Sequence, residues 1–253
     1  MRQFASMFLV FLLSLGCPLA QADTLKVLTT GAYKGVLMAL VPDFEARTGH
    51  KLEVLNDTAG ALTRRIGAGE TFDVLVLTPG GLKAPGEKGK VLPDSITPLA
   101  RAAIGVAVRA GADAPAIGTV EEFRLAVLNA KKVAYIDPAA GGSSGIYLDG
   151  LFQRMGLAQA VRAKAVLVPG GLVATRLVSG EADLAIHQIS EILPVQGAQL
   201  VGPLPEAIQN YTTYAGAISP NAANPQAARE LLATLSGAQA QQILRTQGML
   251  APR

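Results

Sequence analysis

Short apolar runs alternate with helix-patterned segments along nearly the whole chain, and four of the junctions between them are rich in glycine, serine or threonine. Residues 25–29 precede a helical pattern at 33–48, residues 51–55 precede one at 61–67, and a further apolar run follows at 72–77. Runs this short suit buried strands rather than helices, so the alternation predicts an α/β fold with a mostly parallel sheet and crossover helices. The junctions are Thr29-Thr30-Gly31-Ala32, Asn56-Asp57-Thr58-Ala59-Gly60, the stretch 137–145, and Val168-Pro169-Gly170-Gly171. Open parallel sheets bind ligands at such carboxyl-end turns, where the following helices present free backbone N–H groups and the positive ends of their dipoles. Four turns facing one another would hold a small anion without needing a charged side chain.

The first 22 residues predict export. Arg2 is followed by an apolar core at 7–15 and by Ala20-Gln21-Ala22, the layout of a secretory signal peptide cut after Ala22, and the core is short for a membrane span. Cys17 offers lipid attachment as an alternative, against which Ser14 stands where leucine is wanted. Cleavage after Ala22 removes the chain's one cysteine, which excludes disulfides, thiolate metal ligands and a cysteine nucleophile from the exported protein. The expected location is the periplasm. The formal charge of +3 comes without a basic run or a tryptophan, which argues against a nucleic-acid partner and is compatible with a small anion. The segment Gly141-Gly142-Ser143-Ser144-Gly145 has the bare spacing of a nucleophile turn but no histidine and carboxylate in a recognisable order near it, so a hydrolase is not expected. Neither a phosphate-loop lysine motif nor a histidine pair at metal spacing occurs, so neither a metal nor a cofactor is expected.

Two stretches carry a resemblance. VLTTGAYKGVLMALVPDFEARTGHKLEVLNDTAGALTRRIGAGETFDVLV, from Val27, and GGLVATRLVSGEADLAIHQISEI, from Gly170, resemble periplasmic solute-binding proteins of the molybdate-binding type. PQAARELLATLSGAQAQQILRTQGML, from Pro225, resembles the closing helices of class II solute-binding proteins. The resemblance implies a two-lobed fold, with 23–101 and 212–253 in one lobe, 102–211 in the other, and a ligand cleft between them. It also implies a monomer that hands a small anionic ligand to an ABC-type membrane permease. In the molybdate-binding proteins two serine hydroxyls in the first two turns, backbone N–H groups and a tyrosine after the GEADL strand hold the oxyanion. Those side-chain positions fall here on Ala32, Ala59 and Gln188. Each hydroxyl withdrawn from a desolvated oxyanion costs about 1 to 3 kcal/mol. Thr30, Tyr33 and Thr58 are neighbours able to replace them in part, but keeping the scaffold while changing every hydroxyl points to a different anion, with molybdate or tungstate as the lesser reading.

The third and fourth turns suggest which anion. Ser143 and Ser144 follow consecutive glycines at a helix start, where they can cap the helix or donate to a carboxylate. Gly60 and Gly171 permit close backbone approach. Arg176, with Arg64 or Arg65 and Lys34 behind it, offers the forked or point charge that suits carboxylates. The expected function is therefore a receptor for a di- or tricarboxylate. The alternative is an isomerase interconverting trans- and cis-aconitate, since a periplasmic aconitate isomerase is known with this class II architecture. Such an enzyme needs one group of suitable pKa to move a proton and a preorganised site to stabilise the resulting negative charge. His187 is the expected acid/base, with Tyr33 and Lys34 behind it, because the other histidine, His50, falls in a loop away from the cleft.

Overall fold

The computed structural model describes residues 23–253, and the expected signal peptide at 1–22 lies outside them. The chain runs β1 (Thr24–Thr30), α1 (Gly31–Thr48), β2 (Lys51–Asp57), α2 (Ala59–Gly67), β3 (Val74–Leu77), α3 (Pro79–Glu87) and β4 (Thr97–Arg109). It continues through α4 (Val120–Asn129), β5 (Val133–Ile136), α5 (Ser143–Arg154), α6 (Ala158–Arg162), β6 (Ala165–Val168), α7 (Thr175–Val178), β7 (Leu184–Gln188), α8 (Ile189–Ile192) and β8 (Ala198–Pro203). It closes with β9 (Tyr211–Ile218), α9 (Pro225–Ser236), α10 (Ala238–Thr246) and β10 (Met249–Leu250).

The strands follow one path, β2-β1-β3-β9-β4-β7-β5-β6, with β8 and β10 also paired to β4. Parallel pairing is confined to β2-β1-β3 and to β7-β5-β6, and every pairing of β4 and β9 is antiparallel. The 13-residue β4 is much longer than the apolar run 104–108 suggests. Its first half pairs with β9 up to Ala103, and from Ile104 it pairs with β7. A single strand therefore passes from one lobe into the other, and β9 runs antiparallel beside its first half. The stretch 79–98, expected to be a surface loop with a short helix, holds α3 and a 3₁₀ turn at Pro93–Ser95.

Period-2 alternation places neighbouring side chains on opposite faces of each sheet. Val27, Val74 and Val76 enter one cluster with the α1, α9 and α10 side chains, while Leu28, Leu75 and Leu77 enter another beneath α2 and α3. In the second lobe Ile104, Val106, Val133 and Tyr135 pack on one face, and Ala107, Ala134 and Ile136 on the other. Strands covered on both faces read as unbroken apolar runs, which is why VLVL at β3 and VAYI at β5 lack polar alternation.

Candidate functional site

The carboxyl ends of β1, β2, β5 and β7 converge on one cavity between the lobes. Its wall contains Thr30, Gly31 and Ala32 from the first turn, Asn56, Asp57, Thr58 and Ala59 from the second, and Gly142, Ser143 and Ser144 from the third. Ile136, Gly171, His187, Gln188, Glu191 and Tyr214 complete it. The space is about 40 Å³, enough for a few waters and well below the ~300 Å³ at which small-molecule sites begin. Access for a larger ligand requires the lobes to part.

Three helices of nine residues or more begin at this wall: α1 at Gly31, α2 at Ala59 and α5 at Ser143. The first N–H groups of a helix have no partner inside it. Thr58 caps α2 by accepting from the Ala61 N–H, whereas Thr30 before α1 and Gly142 before α5 supply no side-chain cap. The uncapped starts of α1 and α5 thus leave N–H donors for a ligand, and the dipoles favour negative charge there. Thr30 Oγ1 is also buried without a hydrogen-bond partner. No lysine or arginine is among the lining residues, so the positive potential offered by the wall comes from backbone dipoles rather than from cationic side chains.

A directed chain of hydrogen bonds crosses the floor. Tyr214 donates its hydroxyl to Gln188 Oε1 at 2.7 Å, and Gln188 Nε2 donates to Ser143 Oγ at 3.0 Å. Ser143 Oγ also lies 3.5 Å from the Tyr214 hydroxyl, whose own proton is given to Gln188, so Ser143 is the donor left for that long contact or for a ligand. Burial pushes the Tyr214 hydroxyl's pKa above its ordinary value, so it stays a donor at any working pH.

His187 is the penultimate residue of β7, and Glu191 follows on α8, four residues later. Both are buried, with His187 Nε2 3.4 Å from Glu191 Oε2. Burial drives their pKa values in opposite directions, His187 down to about 3 and Glu191 up to about 8. Two titratable groups pushed apart by their surroundings are the usual layout of acid/base chemistry. Gly31 makes room for this pair, since a Cβ there would overlap Glu191 Oε1.

At the rim the lobes touch directly. Gly60 N–H donates to Gly141 O at 3.0 Å, and Thr58 Oγ1 and Arg64 both donate to Ala140 O, at 2.7 and 3.3 Å. A Cβ on Gly60 would stand 2.7 Å from Gly141 Cα, so the contact needs glycine on both sides. Gly60→Val is expected to hold the lobes apart, read as a larger radius of gyration in solution scattering. An unchanged radius would mean that this clasp does not govern closure.

Of the residues singled out from sequence, Thr30, Ala32, Thr58, Ala59, Ser143, Ser144, Gly171, His187 and Gln188 lie on the cavity wall. Gly60 lies in the clasp instead. Tyr33 points into the first lobe's core and donates to Leu235 O at 2.9 Å, because it belongs to the buried stripe of α1 with Val36, Leu37, Leu40 and Phe44. Arg176 is turned away to Glu181, 2.9 Å distant, and Arg65 is held by Glu70 and Asp57. Lys34 is exposed and off the wall, and His50 accepts from the Asp23 N–H, far from the cavity. Sequence reasoning missed Glu191 and Tyr214. The four-residue spacing from His187 to Glu191 was the available signal for the first.

A two-lobed α/β fold with an anion-ready interlobe cleft defines the class of extracellular solute-binding proteins. The chain belongs to the bacterial extracellular solute-binding protein family, whose profile matches residues 25–250. It is 34% identical over 232 residues to an aconitate isomerase from Pseudomonas sp., covering 89% of this chain and 87% of that protein. Among solved structures it is similar to the periplasmic molybdate-binding protein of Azotobacter vinelandii, with a TM-score of 0.75 at 20% identity over 90% of this chain and 100% of that one. The sulfate-binding protein of Mycobacterium tuberculosis gives 0.71 at 18% identity over 90% and 86%.

Proposed function

We propose that this protein is a periplasmic enzyme that interconverts trans- and cis-aconitate in the cleft between its lobes. The observation that carries the reading is the buried His187–Glu191 pair, set on the cavity wall between the starts of α1 and α5. Aconitate has a methylene and a vinyl carbon on either side of a carboxylate-bearing carbon. Removing a methylene proton spreads the electron pair over the allyl system and its carboxylates, and returning a proton to the former vinyl carbon shifts the double bond. Helix N-termini and the Ser143 hydroxyl stabilise that spread charge without reorganising, and the His187–Glu191 pair handles the proton. The identity to a named aconitate isomerase supports the same reading.

The lobes, 23–101 with 212–253 and 102–211, open to admit the tricarboxylate and close by hinge motion about β4 and β9. A second reading is a di- or tricarboxylate receptor serving an ABC-type permease; it is supported by the family's description as solute-binding and by the structural likeness to binding proteins.

Incubating the purified protein with trans-aconitate and quantifying cis-aconitate by chromatography separates the two, with thermal stabilisation by aconitate, citrate and molybdate measured in parallel. Multiple turnovers support the isomerase. Stabilisation by a carboxylate without product supports the receptor, and stabilisation by molybdate alone overturns both. Ser143→Ala is expected to weaken binding by about 1 to 2 kcal/mol, a five- to thirtyfold rise in KM, because it removes the donor at the end of the Tyr214–Gln188 chain. An unchanged KM would show that Ser143 does not face the ligand.

A further inference from the structure

His187 and Glu191 stand in different surroundings on the wall. His187 is 2% exposed, its Nε2 faces Glu191, and its Nδ1 is buried without any partner. A proton taken by this ring would give an imidazolium with N–H groups on both sides, one of them facing no acceptor, and an unpaired buried donor is costly. Glu191 stands differently. Its carboxyl spans from His187 on one side to the start of the 18-residue α1 on the other, where Oε1 occupies the space a side chain on Gly31 would need. The helix start offsets part of the cost of its carboxylate form, and on taking a proton it becomes neutral, which burial favours.

Resting on the isomerase reading, we propose that Glu191 is the catalytic base and acid, a single group that takes and returns the proton, and that His187 is a positioning residue beside it. The Glu191 carboxylate removes a proton from the substrate methylene. That C–H bond breaks, its electron pair enters the allyl system, and the proton forms an O–H bond on Glu191. The same O–H bond then breaks as a C–H bond forms at the former vinyl carbon, and Glu191 returns to the carboxylate. Nothing is oxidised or reduced, and no co-reactant is needed. One shuttling group on one face of the substrate also requires the two C–H positions to be presented to the same side of the cleft.

The test compares wild type, Glu191→Gln, Glu191→Asp and His187→Asn in D₂O, following by proton NMR the appearance of cis-aconitate and the deuterium that enters substrate whenever the O–H on Glu191 exchanges with solvent before it is returned. Glu191→Gln should lose at least a hundredfold in both signals, in line with the ~10² to 10⁴ ascribed to general acid–base catalysis, while trans-aconitate still raises its melting temperature. Glu191→Asp, which keeps a carboxylate, should retain more turnover than Glu191→Gln. His187→Asn should lose less than Glu191→Gln and shift the pH dependence of kcat, as expected if the ring only sets the environment of Glu191. Turnover and exchange retained in Glu191→Gln but lost in His187→Asn would overturn the assignment and make His187 the base. Neither signal in the wild type would overturn the isomerase reading itself, and the proposal with it.

Discussion

Replacing Gly31 with alanine is expected to lower kcat for aconitate interconversion by about a hundredfold while leaving the melting temperature unchanged or slightly raised. Gly31 is the first residue of α1 and has no left-handed backbone conformation to preserve. Alanine is the better helix former, so the local chain has no reason to resist the change. What the added Cβ meets is the carboxyl of Glu191, which must move. Misplacing a reacting group by about 1 Å can cost ~10²-fold in rate. The measurement is kcat for the variant beside its thermal unfolding curve. Loss of activity together with a large loss of stability would mean that Gly31 serves packing alone, and full activity would mean that the Glu191 carboxyl can be moved without consequence.

A pH dependence of stability should distinguish the same pair in the absence of substrate. Folding takes Glu191 from about 4.5 to about 8 and His187 from about 6.5 to about 3. Between pH 4.5 and 6.5 the unfolded chain holds the histidine proton and has lost the glutamate proton, while the folded protein does the reverse. The proton counts match, and the pair contributes no slope. From pH 6.5 to 8 the folded state holds one proton more than the unfolded state, so stability falls as pH rises, by at most about 1.4 kcal/mol per pH unit. From pH 4.5 down to 3 the unfolded state holds one more, so stability falls as pH falls. Subtracting the profile of Glu191→Gln cancels the other groups. The wild type should lose ground steadily to that variant between pH 4.5 and 8, as read from urea unfolding across that range. A difference that stays flat would show that Glu191 is ionised in the folded protein at neutral pH.

The scaffold was legible because its signals are local. Five-residue apolar runs, glycine-rich turns and a buried stripe in α1 each specify their own element, and the turns carry the cavity wall with them. The side chains that finish the cavity were harder to read. Glu191 lies in ISEI, which reads as a short polar helix face, and its burial comes from tertiary packing, with α8 against α1 and the carboxyl between Gly31 and His187. Tyr214 reads as one more apolar residue of β9, and its place on the wall depends on β9 and β4 running side by side at the crossing between lobes. Arg176 misled for the opposite reason. A fork near a ligand turn suggests a carboxylate clamp, but Glu181, five residues on, takes it first. Tyr33 was readable in principle, since the stripe it shares with Val36, Leu37, Leu40 and Phe44 already places its ring in the core.

The cavity has consequences for how an anion is accommodated. With carboxyl groups from Asp57 and Glu191 on the wall and no lysine or arginine there, a ligand carrying several negative charges depends on the helix starts, the Ser143 hydroxyl and a protonated Glu191. On the proposed isomerase reading, substrate binding and the protonation of Glu191 are linked: the group proposed to take a proton when ionised is favoured in its neutral form when the charged substrate arrives. Rate and affinity are expected to oppose each other as pH rises.

The most direct measurement is to start separate reactions from trans-aconitate and from cis-aconitate with a catalytic amount of the protein and to follow both by proton NMR. If the cleft transfers an allylic proton, the two reactions converge on the same mixture of isomers with many turnovers per protein. If each isomer persists unchanged while still stabilising the protein against heat, the cleft only binds, and the enzymatic account is wrong.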